Sequence, residues 1–266
     1  MQIFVINLDR NPMRWDRMAG LLAGLNFKRI PAVDGKNLEG PEYNAPDRII
    51  CHETLSRYNR ACILSHRAAC HELLAGTEPY GCVLEDDIFL SPDFPRFINR
   101  TDWIPADCHL MKIETTQQEI YTGTQTIRCL DRVARPLRSL NFGAAGYVLS
   151  REGARILLEM TLHPDRGIDR ILFEERGLKR FPSLQLVPAL CIQASHRGGA
   201  LLFAEMQTTI QPPIASPLVE NRPPVRHPIL NKVQRELFRP FRQLAGPFAT
   251  LALSSRGLRR LRVPFV

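Results

Sequence analysis

The first 35 residues switch between apolar and amphipathic patterns in a way that strongly restricts the fold. Residues 3–8 are an apolar run that predicts a buried strand, and residues 27–33 predict a second one. Between them, Asn11 as N-cap and Pro12 at the first helical position predict a helix that runs to Gly24. A strand, a helix and a strand in this order form a βαβ unit with parallel strands. The chain is therefore expected to be an α/β protein with a mostly parallel sheet flanked by helices.

Three consecutive carboxylates, Glu85, Asp86 and Asp87, follow the apolar residues of another predicted strand at 81–84. Adjacent carboxylates repel each other and are costly to desolvate, so their position calls for an explanation. Mg²⁺ or Mn²⁺ would remove both costs, and proteins usually hold such ions with one or two carboxylates plus substrate phosphates. The cluster predicts a metal–diphosphate site at the end of a strand. An acidic, solvated turn is the alternative.

The rest of the domain continues the strand and helix pattern. Helices are predicted at 60–74 and 151–160, and strands at 109–113, 146–149 and 186–190. Residues 36–56 and the segment after Asp87 are expected to be irregular. The apolar start without a basic leader indicates no signal peptide, and no run approaches the roughly 20 apolar residues of a membrane span. Seven scattered cysteines without a C-x-x-C pair favour reduced thiols in the cytoplasm.

Positive charge is concentrated at the end of the chain. Residues 222–266 contain ten Lys or Arg and one Glu, a net charge of +9, so residues 1–221 carry −1 of the total of +8. We divide the chain into a domain at 1–210, a Pro-rich linker at 211–228 and a basic amphipathic tail at 229–266. On a helical projection of 229–248 the apolar and basic residues fall on opposite sides, with Pro240 as an interruption.

Such a helical tail favours an anionic membrane surface as its partner, at the inner face of the cytoplasmic membrane. The apolar stripe opposite the basic residues argues against nucleic acid as a partner. Packing of the tail against the domain is the alternative.

Six short motifs then occur in a characteristic order. They are VINLDR at 5–10 with Arg14 behind it, AVDG at 32–35, LSH at 64–66, LEDD at 84–87, GYVLS at 146–150 followed by Gly153 and Ala154, and Ile168-Asp169. In this order they resemble glycosyltransferase family 25, which includes bacterial lipopolysaccharide galactosyltransferases and the related collagen galactosyltransferases. The resemblance implies a GT-A-like (Rossmann-like) fold. It also implies transfer of a hexose, galactose, from a UDP-sugar to a lipopolysaccharide, lipooligosaccharide or similar surface glycan, with inversion.

The resemblance gives the acidic cluster a specific role. A divalent cation, Mn²⁺ or Mg²⁺, would stabilise the nucleoside diphosphate as it leaves. Glu85 and Asp87 alternate along a strand, so both can point to one side and bind the ion, and Glu85 can instead contact its waters or the ribose. Asp86 would then face away or bond locally. His196, just before a Gly pair, is a candidate to complete the metal shell, and an exposed loop histidine is the alternative.

Inversion requires a general base that takes the proton of the acceptor hydroxyl. We assign this role to Asp169, with Asp86 as a rival. The alternative for Asp169 is an ordinary residue at a helix start, favoured by capping or by the helix dipole.

Four further residues are expected to bind the nucleotide sugar. Arg10 and Arg14 present guanidinium forks that suit phosphate, although solvated helix charges are the alternative. Asn7, at the end of the first strand, can contact the base or the ribose, and Asp34 can do the same or only build an Asp-Gly turn. Ser65 and His66 are expected to make a structural contact between helix and sheet.

Two other functions remain open at this point. Metal-assisted phosphoester hydrolysis also uses clustered carboxylates, although it usually draws acids and histidines from several strands. A catalytically degenerate, membrane-associated scaffold is the other, and the intact Glu85-Asp86-Asp87 cluster argues against it.

Overall fold

A computed structural model describes residues 1–44, 47–196, 253 and 255–266, with the backbone alone for Asn44 and His196. The strands are β1 (Gln2–Asn7), β2 (Phe27–Pro31), β3 (Glu42–Asn44), β4 (Arg48–Ile50), β5 (Tyr80–Glu85), β6 (Ile88–Leu90), β7 (Leu110–Lys112), β8 (Glu114–Thr115), β9 (Glu119–Gly123), β10 (Ile127–Cys129), β11 (Arg132–Pro136), β12 (Gly146–Ser150), β13 (Leu184–Val187), β14 (Cys191–Gln193) and β15 (Leu258–Arg262). The helices are α1 (Pro12–Leu21), α2 (Arg57–Ala75), α3 (Phe94–Ile98), α4 (Arg151–Met160), α5 (Ile168–Phe173) and α6 (Glu175–Arg180), with 3-10 turns at Gly35–Asn37 and Ala194–His196.

The central sheet has eight strands in the order β10-β11-β13-β7-β12-β5-β1-β2. β1 is parallel to both β2 and β5, as the βαβ pattern predicts. β12 and β11 run against their neighbours, so the other six strands share one direction. The expected mostly parallel sheet is confirmed.

Helices cover both faces of this sheet. Because side chains alternate along a strand, Phe4 and Ile6 of β1 join the core beneath α2, whereas Ile3 and Val5 join the core beneath α1 and α3. β1, β5 and β7 all end at one edge of the sheet, where β12 begins because it runs in reverse. This edge, called the carboxyl edge below, is where sheets of this kind bind ligands.

The segments predicted to be irregular contain short elements. Residues 36–56 include the hairpin of β3 and β4, and the acidic cluster is followed by β6 and α3. The prediction of a strand at 186–190 is wrong at its end: β13 stops at Val187, since Pro188 has no N–H for the ladder. α2 begins three residues before the predicted helix because the Ser56 hydroxyl accepts the Asn59 N–H and caps it.

The end of the chain pairs with the domain. β15 is antiparallel to β9, and the Thr115 hydroxyl donates to the carbonyl of the buried Val263 at 2.8 Å. Residues 258–262, within the tail that was predicted to be helical, therefore form a strand. The amphipathic pattern at 229–248 and the linker at 211–228 lie outside the described residues. In the part of the chain that the structure describes, no helix has the length and apolarity needed to span a bilayer.

Candidate active site

The acidic cluster lies at the carboxyl edge, where β5 ends at Glu85. The side-chain amide of Gln193 on β14 donates to both Glu85 Oε2, at 3.0 Å, and Asp87 Oδ1, at 3.4 Å. One amide group can reach both carboxylates only if they point the same way. The two carboxylates thus point the same way, but not by strand alternation as predicted, because Asp86 and Asp87 form a bend between β5 and β6.

Burial raises the pKa of both Glu85 and Asp87 to about 7, and the negative charges of their neighbours add to the effect. Both groups lose water; Asp87 also senses the charges of Glu85 and Asp86, and Glu85 senses those of Asp86 and Asp169. At neutral pH the pair holds on to protons that ordinary carboxylates have released. A divalent cation at this position would displace those protons and remove the repulsion.

Asp86 has different partners. Its Oδ2 accepts from Asn7 Nδ2 at 2.6 Å, and its Oδ1 accepts from the buried Arg14 guanidinium at 3.0 Å. The Asn7 side-chain oxygen in turn accepts from Arg29 Nε at 2.9 Å. The result is a buried network of Asn7, Arg14 and Asp86. This network fixes the bend that carries Asp86 and Asp87.

Helix α2 contributes two further ligand atoms beside Glu85. Cys62 Sγ, an imidazole nitrogen of His66 and a carboxylate oxygen of Glu85 all lie within 4.8 Å of one another. His66 Nδ1 shares a hydrogen bond with the Tyr147 hydroxyl at 2.9 Å, while Nε2 lies 3.5 Å from Glu85 Oε1. Burial lowers the pKa of His66 to about 4, so its imidazole is neutral at pH 7, the form that binds metals. The group can therefore take part in a cation site.

A cleft of about 650 Å³, open to solvent, lies above these groups. At its wall Arg10 Nε donates to Asp34 Oδ2 at 2.7 Å, and the Lys36 N–H donates to Asp34 Oδ1 at 3.0 Å. The backbone hydrogen bond from Lys36, with help from Arg10, lowers the pKa of Asp34. Asp34 thus builds its turn and also holds Arg10 at the cleft.

Ser65 fixes the wall of this cleft to α2. Its hydroxyl accepts the Val33 N–H at 2.9 Å and donates to the Ala61 carbonyl at 2.8 Å. This contact joins α2 to the segment that follows β2. The structural contact between helix and sheet that was expected is made by His66, which bonds Tyr147 of β12 and also faces Glu85.

Asp169 lies in the first turn of α5, where it accepts two backbone N–H groups. Arg170 donates to Oδ1 at 2.8 Å and Gly143 donates to Oδ2 at 3.4 Å. Its negative charge is one of the causes that raise the pKa of Glu85. Asp169 therefore lies close to Glu85, although it belongs to a different element, α5.

The structure brings most of the predicted residues to one edge of the sheet and adds two. Gln193 was missed because β14 shows no periodic pattern and pairs only with distant strands. Cys62 was missed although it lies one helical turn before His66, a spacing that places both on one face. The side chain of His196 lies outside what the structure describes.

The chain is similar to known glycosyltransferases. Residues 1–171 match the family model described as glycosyltransferase family 25 (LPS biosynthesis protein). The chain is 30% identical over 213 residues to the lacto-N-neotetraose biosynthesis glycosyltransferase LgtB of Neisseria gonorrhoeae, covering 74% of this chain and 75% of that protein.

Two other relatives point the same way. LgtE of the same organism is 28% identical, with 74% and 75% of the two chains covered. The lipooligosaccharide biosynthesis protein lic2B of Haemophilus influenzae is 26% identical over 161 residues, covering 54% of this chain and 57% of that protein. The expected family is confirmed: this chain belongs to glycosyltransferase family 25 and is a glycosyltransferase.

Proposed function

We propose that the protein transfers galactose from a UDP-sugar to a lipopolysaccharide or lipooligosaccharide acceptor, with inversion and with Mn²⁺ or Mg²⁺ bound. The observation that carries this proposal is the pair of the half-buried Glu85 and the buried Asp87, bridged by Gln193 beneath an open cleft. The names of the relatives LgtB and lic2B support the acceptor class.

The donor diphosphate would occupy the cleft. Glu85 and Asp87 supply hard oxygen ligands that suit both ions, and the neutral imidazole of His66 favours Mn²⁺ over Mg²⁺. When bound, the ion acts as a Lewis acid and stabilises the charge on the departing diphosphate. Arg10, held by Asp34, offers a guanidinium fork to the phosphates or to the nucleoside.

The acceptor hydroxyl would be activated by Asp169. In a single displacement its oxygen attacks the anomeric carbon, its proton passes to an Asp169 carboxylate oxygen, and the bond to the diphosphate breaks to release UDP. The two backbone N–H groups orient this carboxylate and still leave lone pairs free. Asp86 is less suited, because it is buried and paired with the Arg14 guanidinium, whereas Asp169 is half-buried and accepts backbone N–H groups. We assign Asn7, Arg14 and Asp86 to positioning.

We also propose that the protein docks at an anionic membrane surface, at the inner face of the cytoplasmic membrane. Arg256, Arg259 and Arg262 are exposed near or on β15, and Arg135 lies close enough for Arg259 to help lower its pKa. A glycolipid acceptor is presented at such a surface, and clustered arginines are attracted to anionic headgroups.

UDP release tests the catalytic proposal. Wild type is incubated with a panel of UDP-sugars and a lactose-type acceptor, with Mn²⁺, with Mg²⁺ or with EDTA. Metal-dependent UDP release is expected, and Asp87→Asn should lower it by about a hundredfold or more, since a ligand and a charge are lost. Asp102→Asn, at an exposed ion pair, is the matched control and should keep wild-type turnover.

Three outcomes would contradict the proposal. Absence of turnover and of binding with every nucleotide sugar would falsify the donor assignment. Full activity in EDTA would remove the metal from the scheme. Release of UMP and sugar phosphate without an acceptor would instead indicate phosphoester hydrolysis.

A further inference from the structure

Residues 141–145 form a loop at the carboxyl edge that contacts both halves of the candidate site. The Glu85 N–H donates to the Ala145 carbonyl at 2.9 Å, and the Gly143 N–H donates to Asp169 Oδ2 at 3.4 Å. The loop thus bridges the proposed metal ligands and the proposed base. It leads directly into β12, which starts at this edge.

A buried lysine holds the loop from below. Lys112, at the end of β7, donates through Nζ to the carbonyls of Asn141 at 3.0 Å, Phe142 at 2.5 Å and Gly143 at 2.5 Å. Its ammonium group is fully buried and lies 3.5 Å from the equally buried Glu114. Glu114 in turn accepts the Ala145 N–H at 3.0 Å. Burying two charges is costly, and here the cost is offset by hydrogen bonds that fix the loop backbone.

Gly143 tightens this arrangement. Its φ of +85° is in the left-handed region, and a Cβ at this position would collide with the Glu114 carboxylate. The backbone on both sides of Phe142 is therefore held in one conformation.

Phe142 itself is nevertheless 45% exposed. Isolated exposed apolar residues are common and by themselves need no explanation. This one is bonded to Gly143, whose N–H contacts Asp169, so its Cα lies within about 6 Å of that carboxylate. Binding residues are often held on loops by a rigid support of this kind.

We propose that the ring of Phe142 is the stacking platform for the acceptor sugar, and that it selects a pyranoside with an exposed apolar C–H face. This inference rests on the proposed function. The acceptor hydroxyl must approach Asp169 to about 3 Å, so the acceptor ring has to lie beside this loop. The face of an aromatic ring carries partial negative charge and attracts the C–H groups of a sugar. Ligand sites commonly combine such an apolar surface with a few polar groups.

The test separates acceptor binding from donor binding. Phe142→Ala, Phe142→Trp and the control Leu21→Ala, at a site 47% exposed on α1, are compared with wild type. Phe142→Ala should raise the KM for lactose by about tenfold, while the KM for the UDP-sugar and the acceptor-independent hydrolysis of the donor stay within about twofold. Phe142→Trp should keep the wild-type KM for lactose. The proposal would be overturned if the KM for lactose were unchanged in Phe142→Ala. It would also be overturned if the KM values for lactose and for the UDP-sugar rose equally.

A binding measurement decides the question even if no UDP-sugar is turned over. Saturation transfer from the protein to lactose or methyl β-D-glucopyranoside is recorded by NMR for the same four proteins. Loss of the transfer in Phe142→Ala alone, with circular dichroism unchanged, supports the platform. Equal transfer in wild type and Phe142→Ala, or none in wild type, refutes it. Failure of the proposed function would appear separately, as the absence of UDP release in wild type.

Discussion

Gln193 shows how a single neutral side chain can organise a cluster of negative charges. Its amide donates to Glu85 and to Asp87 and partly offsets the rise in pKa that burial causes in both. The carboxylates are thus aligned before any cation arrives. Such outer partners of metal ligands orient them and tune their affinity.

The raised pKa values predict how stability depends on pH. Glu85 and Asp87 have pKa values of about 7 in the folded protein, against ordinary values of 4.5 and 3.8. The folded state therefore retains protons that the unfolded chain has lost, and stability falls as pH rises through about 7. In EDTA, the Tm should drop by on the order of 5 °C between about pH 6.5 and about pH 8.

Glu85→Gln should flatten this profile, and scanning calorimetry is the measurement. His66 does not interfere, because its pKa shift from 6.5 to about 4 changes stability only below about pH 6.5. A wild-type Tm that rises toward pH 8, or a profile unchanged in Glu85→Gln, would contradict the assignment. Saturating Mn²⁺ should reverse the fall above pH 7, since the ion replaces the protons.

At the scale of elements, β7 and β8 carry a buried ion pair whose members hold the same loop. Lys112→Met leaves Glu114 buried without its lysine and frees three carbonyls, so the free energy of unfolding should fall by about 3–5 kcal/mol. Chemical denaturation measures the loss. Lys179→Met removes an exposed lysine from a surface pair and should change stability by less than about 1 kcal/mol.

The double variant Lys112→Met with Glu114→Gln gives the sharper comparison. Removing both charges should recover part of the stability, because the remaining cost in the single variant is largely the isolated carboxylate. Glu114→Gln alone is the reference for this comparison. If adding Glu114→Gln to Lys112→Met lowered stability by as much as Glu114→Gln does alone, the two residues would act independently, contrary to the prediction.

Elements with strong local signals were predicted well. β1, α1, β2, β12 and α4 have clear periodicity, and the helix predicted at 151–160 has the same bounds as α4, which the Ser150 hydroxyl caps. α1 ends at Leu21 rather than at the predicted Gly24, and the Asn11 side chain makes no capping hydrogen bond. β6, β8 and β14 have two or three residues each and form a small sheet from segments far apart in the chain. Their sequences carry no signal of their own, since their stability comes from pairing.

The candidate site also divides into features that have a local sequence signal and features that have none. The shared orientation of Glu85 and Asp87 was predicted, although it arises in the bend between β5 and β6 rather than from alternation along a strand. The contacts of Asp86 with Asn7 and Arg14, or of Gly143 with Asp169, depend on how distant segments meet. One sequence does not specify those distances.

At the scale of the whole molecule, the proposed docking at an anionic membrane surface depends on exposed positive charge. Replacing Arg256, Arg259 and Arg262 by Gln removes three exposed positive charges near β15. Co-sedimentation with vesicles containing phosphatidylglycerol should drop by about tenfold or more, because each basic residue near an anionic surface contributes about 1 kcal/mol. Neutral phosphatidylcholine vesicles should bind neither protein.

The matched control removes the same charge elsewhere. Arg155→Gln, Arg176→Gln and Arg180→Gln also delete three exposed arginines and should leave vesicle binding near the wild-type level. Equal losses in both triple variants would mean that net charge alone drives binding, and the docking surface would have to be abandoned.

The pairing of β9 with β15 has a consequence for synthesis. Thr122 and its partner Arg259 are 137 residues apart in the chain. At a translation rate of about 5–20 residues per second, β9 emerges roughly 7–27 s before the strand that covers its edge. During that interval its backbone groups can pair with a strand of another nascent chain. The yield of folded enzyme is therefore expected to fall when this edge is left unshielded during synthesis.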